Sequence, residues 1–391
     1  MSLARNIRWL LDTNEGADPA ERVPVEYHLL SWRELYDESL SPVELDKWDV
    51  GSWLVDGGPG FFNVTAISYA SDGPPQRLCL SFDCPKETTR YELPGRPTIV
   101  VAPPIDSVSL EFIALLSVFA RAPLVPLGPR RVGNKPVYEH PLNTFPPPPQ
   151  ELSRLRPLGI DSPSFVAILR GLARAPDDLV NAVLAAAKFY HAGLSVVALD
   201  ISVAYISLVS AIECLAACRF KGPFATFEDI ERFDRLRELL DRIPASPDVD
   251  ALVPQIKKEL LNQERFLRKK FVDFLSEFAP QCLWDTPDPI YDDPSVLPPI
   301  TRANFEGCLR AVYDQRSAYL HGGAPFPAHA MVGLREMLPI EAMIQYLQLQ
   351  GSEKYVPPFV WFDRLVHLAM VEYLLGSLAP EFVRGRQDLG E

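Results

Sequence analysis

Residues 313–323 read Tyr313-Asp314-Gln315-Arg316-Ser317-Ala318-Tyr319-Leu320-His321-Gly322-Gly323. They are predicted to close a helix that begins near Thr301, because a glycine just past the last turn is a common helix stop. At about 100° per residue one side of this helix is apolar, and its members are Phe305, Leu309, Val312, Tyr319 and Leu320. Arg316 is predicted to lie in the middle of that side, where a guanidinium needs an anionic partner, a partner chain or a cleft. His321 follows at the helix end, so the pair predicts a phosphate site.

Two residues five positions apart point about 140° away from each other on an ideal helix. Arg316 and His321 can therefore act on one phosphate only if the helix unwinds near His321 or if a second subunit contributes one of them. An Arg-x4–6-His spacing also arises by chance, and the chain holds a second pair in Arg22 and His28. That pair spans Pro24 in a strand-like segment, so it is discounted, whereas Arg316 and His321 share a helix with a defined end.

Glu213 lies within the most hydrophobic predicted helix, over 200–220. A carboxylate in such surroundings needs a cation. It is either a structural carboxylate satisfied by some arginine or, if that arginine is Arg316, a support that orients the phosphate site from a neighbouring helix.

The densest group of basic residues is interleaved with apolar ones and consists of Arg265, Arg268, Lys269 and Lys270. This pattern is typical of a solvated helix face, and the alternative is a contact with the RNA backbone beside the site. The histidines show no metal-ligand spacing with Cys, Asp or Glu, so no metal and no cofactor is predicted. The chain also lacks a Walker loop, a dinucleotide-binding glycine fingerprint and a GxSxG elbow, which argues against P-loop hydrolysis, hydride transfer and α/β-hydrolase chemistry.

Charge and cysteine content narrow the class of protein. The 391 residues carry a formal net charge of −13, which argues against a general nucleic-acid coating protein but leaves room for a locally basic site. The six cysteines lack paired CxxC spacing, and without a signal peptide a reduced cytoplasmic interior is the expected location. No uninterrupted apolar run reaches the ~18 residues of a membrane span, so no membrane is expected.

The periodicity changes from strand-like to helical along the chain, so the predicted fold class is α+β. A β-rich N-terminal domain is predicted over 1–150 and an all-α domain over 160–391. After a short helix at 3–11, the predicted strands are 23–30, 52–55, 61–69, 77–82 and 98–101. A helix at 107–120 and a proline-rich stretch at 123–149 follow. The predicted helices of the second half are 164–175, 177–191, 200–220, 227–243, 251–278, 301–321, 334–350 and 359–378, with a loop at 281–299.

The second half resembles the HEPN superfamily, and within it the long Apea-like branch associated with phage-defence proteins. The resemblance covers about 160–380 and is carried by a helix with Ile212-Glu213-Cys214-Leu215 and by the motif of residues 313–322. The segment Phe189-Tyr190-His191-Ala192 and the helix over 266–278 are also similar to that branch. The first part of the chain, which ends in Leu115-Leu116-Ser117-Val118-Phe119, is similar to N-terminal domains that precede such HEPN domains.

This resemblance implies an all-α HEPN-like bundle, a homodimer whose two motif helices line one cleft, and metal-independent endoribonuclease chemistry. His321 would handle the proton of the attacking 2′-hydroxyl or of the leaving 5′-oxygen, and Arg316 would stabilise the charge of the phosphorane. Glu213, Ser317 and Tyr319 would support them. The expected substrate is RNA, with tRNA as one candidate, and the expected products are a 2′,3′-cyclic phosphate and a 5′-hydroxyl.

The leading hypothesis is a ribonuclease that acts as a toxin or in phage defence by abortive infection. It would be held inactive until a phage-derived trigger or a regulatory partner is sensed through the N-terminal domain. The alternative is a non-catalytic HEPN protein that serves as an assembly, nucleotide-binding or adaptor subunit. The acidity of the chain and Ser317, where many active relatives have Asn, Asp or His, favour the alternative. A third hypothesis makes the β-rich part a protein-binding sensor or adaptor.

Overall fold

The computed structural model describes residue 10 and the ranges 22–31, 35–37, 53–56, 62–68, 76–85, 89–91, 99–101, 105–133, 135–137, 158–221, 226–230, 233–244, 246–263, 266–285, 300–331 and 355–388. Within them strands dominate the first half of the chain and helices the second, so the predicted α+β class is confirmed. The strands are β1 Arg22–Ser31, β2 Leu35–Asp37, β3 Trp53–Asp56, β4 Asn63–Ser68, β5 Gln76–Pro85, β6 Thr89–Tyr91, β7 Ile99–Val101, β8 Leu124–Val132, β9 Lys135–Pro136 and β10 Leu158–Ile160.

Six of these strands form one antiparallel sheet in the order β3-β4-β5-β1-β8-β9. Strands β1 and β5 pair along their whole length at its centre. Alternate residues of a strand point to the same face. The alternation therefore places three apolar cross-strand pairs in the core, namely Val25 with Phe82, Tyr27 with Leu80, and Leu29 with Leu78.

The five predicted strands are confirmed, with ends that differ by at most three residues. The proline-rich stretch over 123–149 begins with a strand that was not predicted, because β8 pairs there with β1. Proline lacks an N–H group for the ladder and is tolerated at edges and bulges. In β8 Pro126 and Pro129 lie opposite Leu29 and Tyr27, beside the two register shifts of this pairing. Because proline is unfavourable in strands, β8 was not predicted, and its irregular pairing with β1 accommodates both prolines.

The described helices are α1 Ile105–Ala120, α2 Ser162–Arg174, α3 Asp177–Val196, α4 Ile201–Arg219, α5 Asp234–Asp241, α6 Pro247–Gln263, α7 Leu267–Phe278, α8 Cys282–Asp285, α9 Phe305–Gly322, α10 Phe359–Leu378 and α11 Pro380–Asp388, with 3-10 turns at Phe227–Asp229 and Ala328–Met331. Two starts are set by aspartate caps, which satisfy free backbone N–H groups. The Asp161 carboxylate accepts from the N–H of Ser164 at the start of α2. The Asp200 carboxylate accepts from the N–H groups of Ser202 and Val203 at the start of α4.

Several helix predictions need correction. The helix predicted over 251–278 is two helices, α6 and α7, because the chain turns at Phe266, whose φ is +50°. The helix predicted over 227–243 is a 3-10 turn followed by the short α5, and the loop predicted over 281–299 begins with α8. The helix predicted over 334–350 lies outside the described residues, as does the one over 3–11 except for Leu10, which is helical and buried.

One apolar core runs from the sheet into the helices, and it includes side chains of β1, β5, α1, α3, α4 and α10. A buried ion pair crosses it: the Arg121 Nε, just after α1, donates to the Asp363 carboxylate of α10 at 2.7 Å. A smaller separate core around Phe227, Ile230 and Leu240 belongs to the segment that holds α5 and α6. The division into domains over 1–150 and 160–391 stays a prediction.

Helices α3 and α4 are long and apolar enough to cross a membrane by length and composition alone. Both helices contain charged residues, so neither is an uninterrupted apolar run, and the expectation that no membrane is involved stays a prediction. The two helices pack against each other, and 44% and 50% of their apolar windows are buried inside the protein. Core helices of globular proteins meet the same criteria.

Candidate functional site

The helix that carries the Arg-x4-His motif is α9, and it packs on α4 and α7. Gly323 ends it in the left-handed conformation with φ +68°, and its N–H donates to the carbonyls of Ala318 and Tyr319. The predicted glycine stop is therefore confirmed. Just beyond it, the N–H of Phe326 donates to Ser202 Oγ at 3.0 Å. This contact holds the end of α9 beside the start of α4.

The buried side of α9 is formed by Phe305, Cys308, Leu309, Val312 and Tyr313. The predicted apolar side was wrong in its second half, because Leu320 is 49% exposed and Tyr319 is only partly buried. Within the described residues, the buried positions of α9 end at Tyr313, so its last two turns are more exposed than its first three. Arg316 therefore lies at the end of the buried side and not in its middle.

Arg316 pairs with Glu213 of α4. Its Nη2 donates to Glu213 Oε2 at 2.9 Å, and the two side chains are 18% and 16% exposed. The contact that the sequence suggested between these residues is thus present, although they are 103 positions apart. Whether the pair serves a site or only stability stays a prediction, because an ion pair of this kind fits both readings.

Tyr313 completes this arrangement, and sequence reasoning did not single it out. Its hydroxyl donates to Glu213 Oε1 at 2.8 Å, and its ring centroid lies 5.4 Å from Arg316 Cζ. Burial and the hydrogen bond to Glu213 raise the pKa of Tyr313 above its usual range, so the hydroxyl keeps its proton and donates. The signal that could have found it is its position three residues before Arg316, since residues at that spacing are neighbours on a helix.

The guanidinium of Arg316 is not saturated by these contacts. Its Nε is buried and has no acceptor in the part of the chain that the structure describes. Nη1 likewise has no partner among the described residues. Buried donors are normally satisfied, so the guanidinium keeps hydrogen-bonding capacity that Glu213 does not use.

His321 lies in the last turn of α9, exposed to solvent and without a hydrogen-bond partner among the described residues. The helix does not unwind before Gly322, so His321 and Arg316 point about 140° apart. Ser317 is half-exposed on the His321 side, whereas Tyr319 lies closer to the Arg316 side. One protomer therefore does not bring the imidazole and the guanidinium to a single phosphate.

The predicted basic cluster lies mainly at the start of α7. Arg268 Nη1 is 3.1 Å from the Asp314 carboxylate of α9, and Lys269 Nζ is 3.4 Å from that of Asp273. Arg268 and Lys269 line an open cleft of about 720 Å³, and Lys270 is not among its lining residues. Arg265 lies outside the described residues. Arg310 of α9, which the sequence did not suggest, also lines the cleft.

Among the residues that the structure describes, no three His, Cys, Asp or Glu side chains converge in a way that could hold a metal ion. All six cysteines are free thiols, and Cys84 and Cys308 are buried. The expectation of a site without metal or cofactor stays a prediction. No protein-family model, curated protein or solved structure matches the chain.

Proposed function

We propose that the protein is a metal-independent endoribonuclease of the HEPN type, with Arg316 and His321 as its catalytic residues. The observation that carries this proposal is the state of the Arg316 guanidinium. Glu213 accepts from its Nη2 and the Tyr313 ring lies beside it, while Nη1 has no partner in the described chain. A guanidinium that is held in place and keeps unused donors on Nη1 suits the binding of a phosphate oxygen.

The proposed reaction begins with attack of a ribose 2′-hydroxyl on the neighbouring phosphorus. His321 transfers one of the two protons, by taking that of the 2′-hydroxyl or by giving one to the leaving 5′-oxygen, and water transfers the other. Arg316 stabilises the charge of the phosphorane, because donors held in place need no reorganisation during the reaction. The 5′-oxygen leaves, and the products are a 2′,3′-cyclic phosphate and a 5′-hydroxyl. DNA lacks the 2′-hydroxyl, so it is not a substrate.

A two-fold dimer brings the two catalytic groups together in this proposal. One side of α4, spanning about 100° of the helix, is only partly buried and free of charge; its residues are Val203, Ile206, Ser207, Ser210, Cys214 and Ala217. Depletion of charge is typical of the centre of protein interfaces. Glu213 lies at the edge of this face. A second copy docked here would bring Arg316 of one protomer near His321 of the other.

Incubation of the purified protein with tRNA and with total RNA in the presence of EDTA tests the reaction. Cleavage that persists in EDTA and leaves 2′,3′-cyclic phosphate ends is the expected result, since the proposed groups need no metal. End groups are read by their resistance to phosphatase before acid treatment. Cleavage that requires a divalent metal ion would contradict the mechanism.

Mixing two inactive variants tests the composite site. With Arg316→Ala and His321→Ala combined in equal amounts, half of the dimers are mixed, and each mixed dimer has one intact site out of two. Since the interface is two-fold symmetric, about a quarter of all sites are intact, and the expected RNA cleavage rate is about a quarter of the wild-type rate. A mixture that stays as inactive as its components, although native mass spectrometry detects mixed dimers, would place both groups in one protomer.

The N-terminal half is proposed to regulate the site in response to a phage-derived trigger or a partner. Three polar contacts tie it to the helices: Arg121 to Asp363, His191 Nε2 to the Leu124 carbonyl at 2.7 Å, and His367 Nδ1 to the Val118 carbonyl at 2.7 Å. Through these contacts, a conformational change in the N-terminal half would be transmitted to the helices of the second half. A cytoplasmic toxin or abortive-infection role follows from this proposal, and loss of toxicity in His321→Ala on induced expression in bacteria tests it.

The second candidate is a non-catalytic HEPN assembly, nucleotide-binding or adaptor subunit. The Arg316–Glu213 ion pair favours this second candidate, because a partly buried ion pair can have a purely structural role. In that case Arg316→Ala and His321→Ala keep full function, while loss of the dimer abolishes it.

A further inference from the structure

The open cleft of about 720 Å³ lies where the 3-10 turn Phe227–Asp229, the start of α7 and the outer side of α9 meet. Its volume is within the range of small-molecule sites, about 300 to 1,000 Å³. It is formed between the main bundle and the segment that has its own small core around Phe227. The cleft is separate from the Arg316–Glu213 contact, which lies on the other side of α9.

The cleft shares a side of α9 with His321. At about 100° per residue, Arg310, Asp314, Ser317 and His321 fall within about 60° of one another. Arg310 lines the cleft, and Asp314 bonds Arg268, which lines it as well. From Arg310 to His321 the helix rises about 16 Å. An RNA strand that places a phosphate at His321 and follows this side of α9 therefore reaches the cleft.

Two arginines supply positive charge from two different helices. Arg268 is 37% exposed and Arg310 is 53% exposed, and their carboxylate partners Asp314 and Glu306 are 61% and 64% exposed. Exposed ion pairs of this kind contribute little to stability. A phosphate can therefore take over the Arg310 guanidinium at small cost and compete with Asp314 for that of Arg268, and bidentate binding favours the exchange.

The cleft also has an apolar part and an acceptor. Phe266 and Leu267 line it, and Leu267 is 38% exposed. Glu228 lines it from the 3-10 turn with a side chain that is 65% exposed. Hydrogen bonds from its own backbone N–H and from Thr226, with the charge of Lys257, hold the pKa of Glu228 below its usual range. It is thus an acceptor and not a donor at neutral pH.

Apolar or aromatic side chains that pack on a base, together with a carboxylate that accepts from an exocyclic amino group, are the usual means of reading single-stranded RNA. We infer that this cleft is a base-reading subsite for a nucleotide that flanks the cleaved phosphate. Its backbone phosphate binds Arg268 and Arg310, its base packs on Phe266 and Leu267, and its amino group donates to Glu228. The subsite selects adenine, cytosine or guanine over uracil, which has no amino group. Its position relative to the cleavage point rests on the proposed function.

Binding of RNA that cannot be cleaved tests the subsite without any need for catalysis. The probes are short fluorescent oligonucleotides of adenylate, cytidylate or uridylate with 2′-O-methyl groups, and anisotropy is measured over a range of salt concentrations. The variants of the full chain are Arg268→Gln, Arg310→Gln and Glu228→Gln. The matched control is Arg170→Gln, since Arg170 is exposed on α2, away from the cleft lining. Circular dichroism checks that each variant is folded.

The expected result is that Arg268→Gln and Arg310→Gln each raise Kd about tenfold and lower the salt slope by about one. Arg170→Gln leaves both unchanged. Glu228→Gln removes most of the preference for adenylate and cytidylate over uridylate. Wild-type protein that binds no RNA, or arginine variants that bind like the control, would overturn the inference. If RNA binds through the cleft but is not cleaved, the inference about the cleft stands and the proposed function fails. If RNA is cleaved and these variants do not change the cleavage, the proposed function stands and the inference about the cleft fails.

Discussion

Alanine at position 321 is expected to lower the rate constant of RNA cleavage by about 100- to 10,000-fold, the usual contribution of a general acid or base. The same substitution is expected to leave the unfolding midpoint unchanged, because the imidazole is exposed and has no hydrogen-bond partner among the described residues. Single-turnover cleavage of a defined RNA and urea unfolding measure the two quantities.

Arg316→Ala is expected to lower cleavage by at least about 100-fold, the loss typical of one donor to a transition-state oxyanion. Unlike His321→Ala it also removes the partner of Glu213, so some loss of stability accompanies it. Arg316→Lys keeps the charge but not the planar fork, and it is expected to rescue stability more than activity. Arg170→Ala is the control. If His321→Ala and Arg316→Ala both cleave at the wild-type rate, these two residues are not catalytic and the proposed mechanism fails. If the wild-type protein itself cleaves no RNA, the non-catalytic candidate replaces the proposed function.

Alanine in place of Asp363 is expected to lower the free energy of unfolding by about 3 to 5 kcal/mol, because it leaves a buried guanidinium without its counter-charge. The side chains of Arg121 and Asp363 are 3% and 8% exposed. Asp363 also accepts from the Tyr190 hydroxyl at 2.7 Å, and Arg121 donates to the Val360 carbonyl at 2.9 Å. Arg121 further has a φ of +44°, an uncommon conformation for a side chain of this size.

Asp314→Ala is the matched control, since it breaks an exposed aspartate–arginine pair with Arg268. Its expected cost is at most about 1 kcal/mol. Unfolding in guanidinium chloride, followed by far-ultraviolet circular dichroism, measures the loss of stability in both variants. Equal losses in Asp363→Ala and Asp314→Ala would show that the buried pair stabilises the fold no more than an exposed one. Because Asp363→Ala loosens the contact between α1 and α10, it also provides a variant in which control of the site by the N-terminal half can be examined.

The local elements were largely predictable, because their signals are short-range. Helix α10 was predicted over the same residues that the structure gives, since a proline precedes it and a long apolar stretch follows. The strands β1 and β5 were found from their alternation. Elements that break a local rule were missed. Strand β8 contains two prolines, and the separation of α6 from α7 depends on a left-handed phenylalanine, which propensities do not favour.

The candidate site was only half predictable. Arg316 and His321 could be selected because they lie close in the sequence, on one helix with a glycine stop. Arg310 and Tyr313 were overlooked on the same helix. Their roles depend on what lies opposite them: the cleft beside α7 for Arg310 and the Glu213 carboxylate for Tyr313.

The sequence by itself determined the helices and strands that follow local propensity, how α9 ends, and that an arginine and a histidine flank its last turns about 140° apart. Periodicity, caps and helical angles are properties of neighbouring residues, so they can be read directly. Only the tertiary structure decided that Arg316 ends the buried side of α9 and pairs with Glu213, that Tyr313 holds both, and that His321 faces the cleft side. Those facts depend on which helices pack together, and packing joins residues that are about a hundred positions apart in the chain.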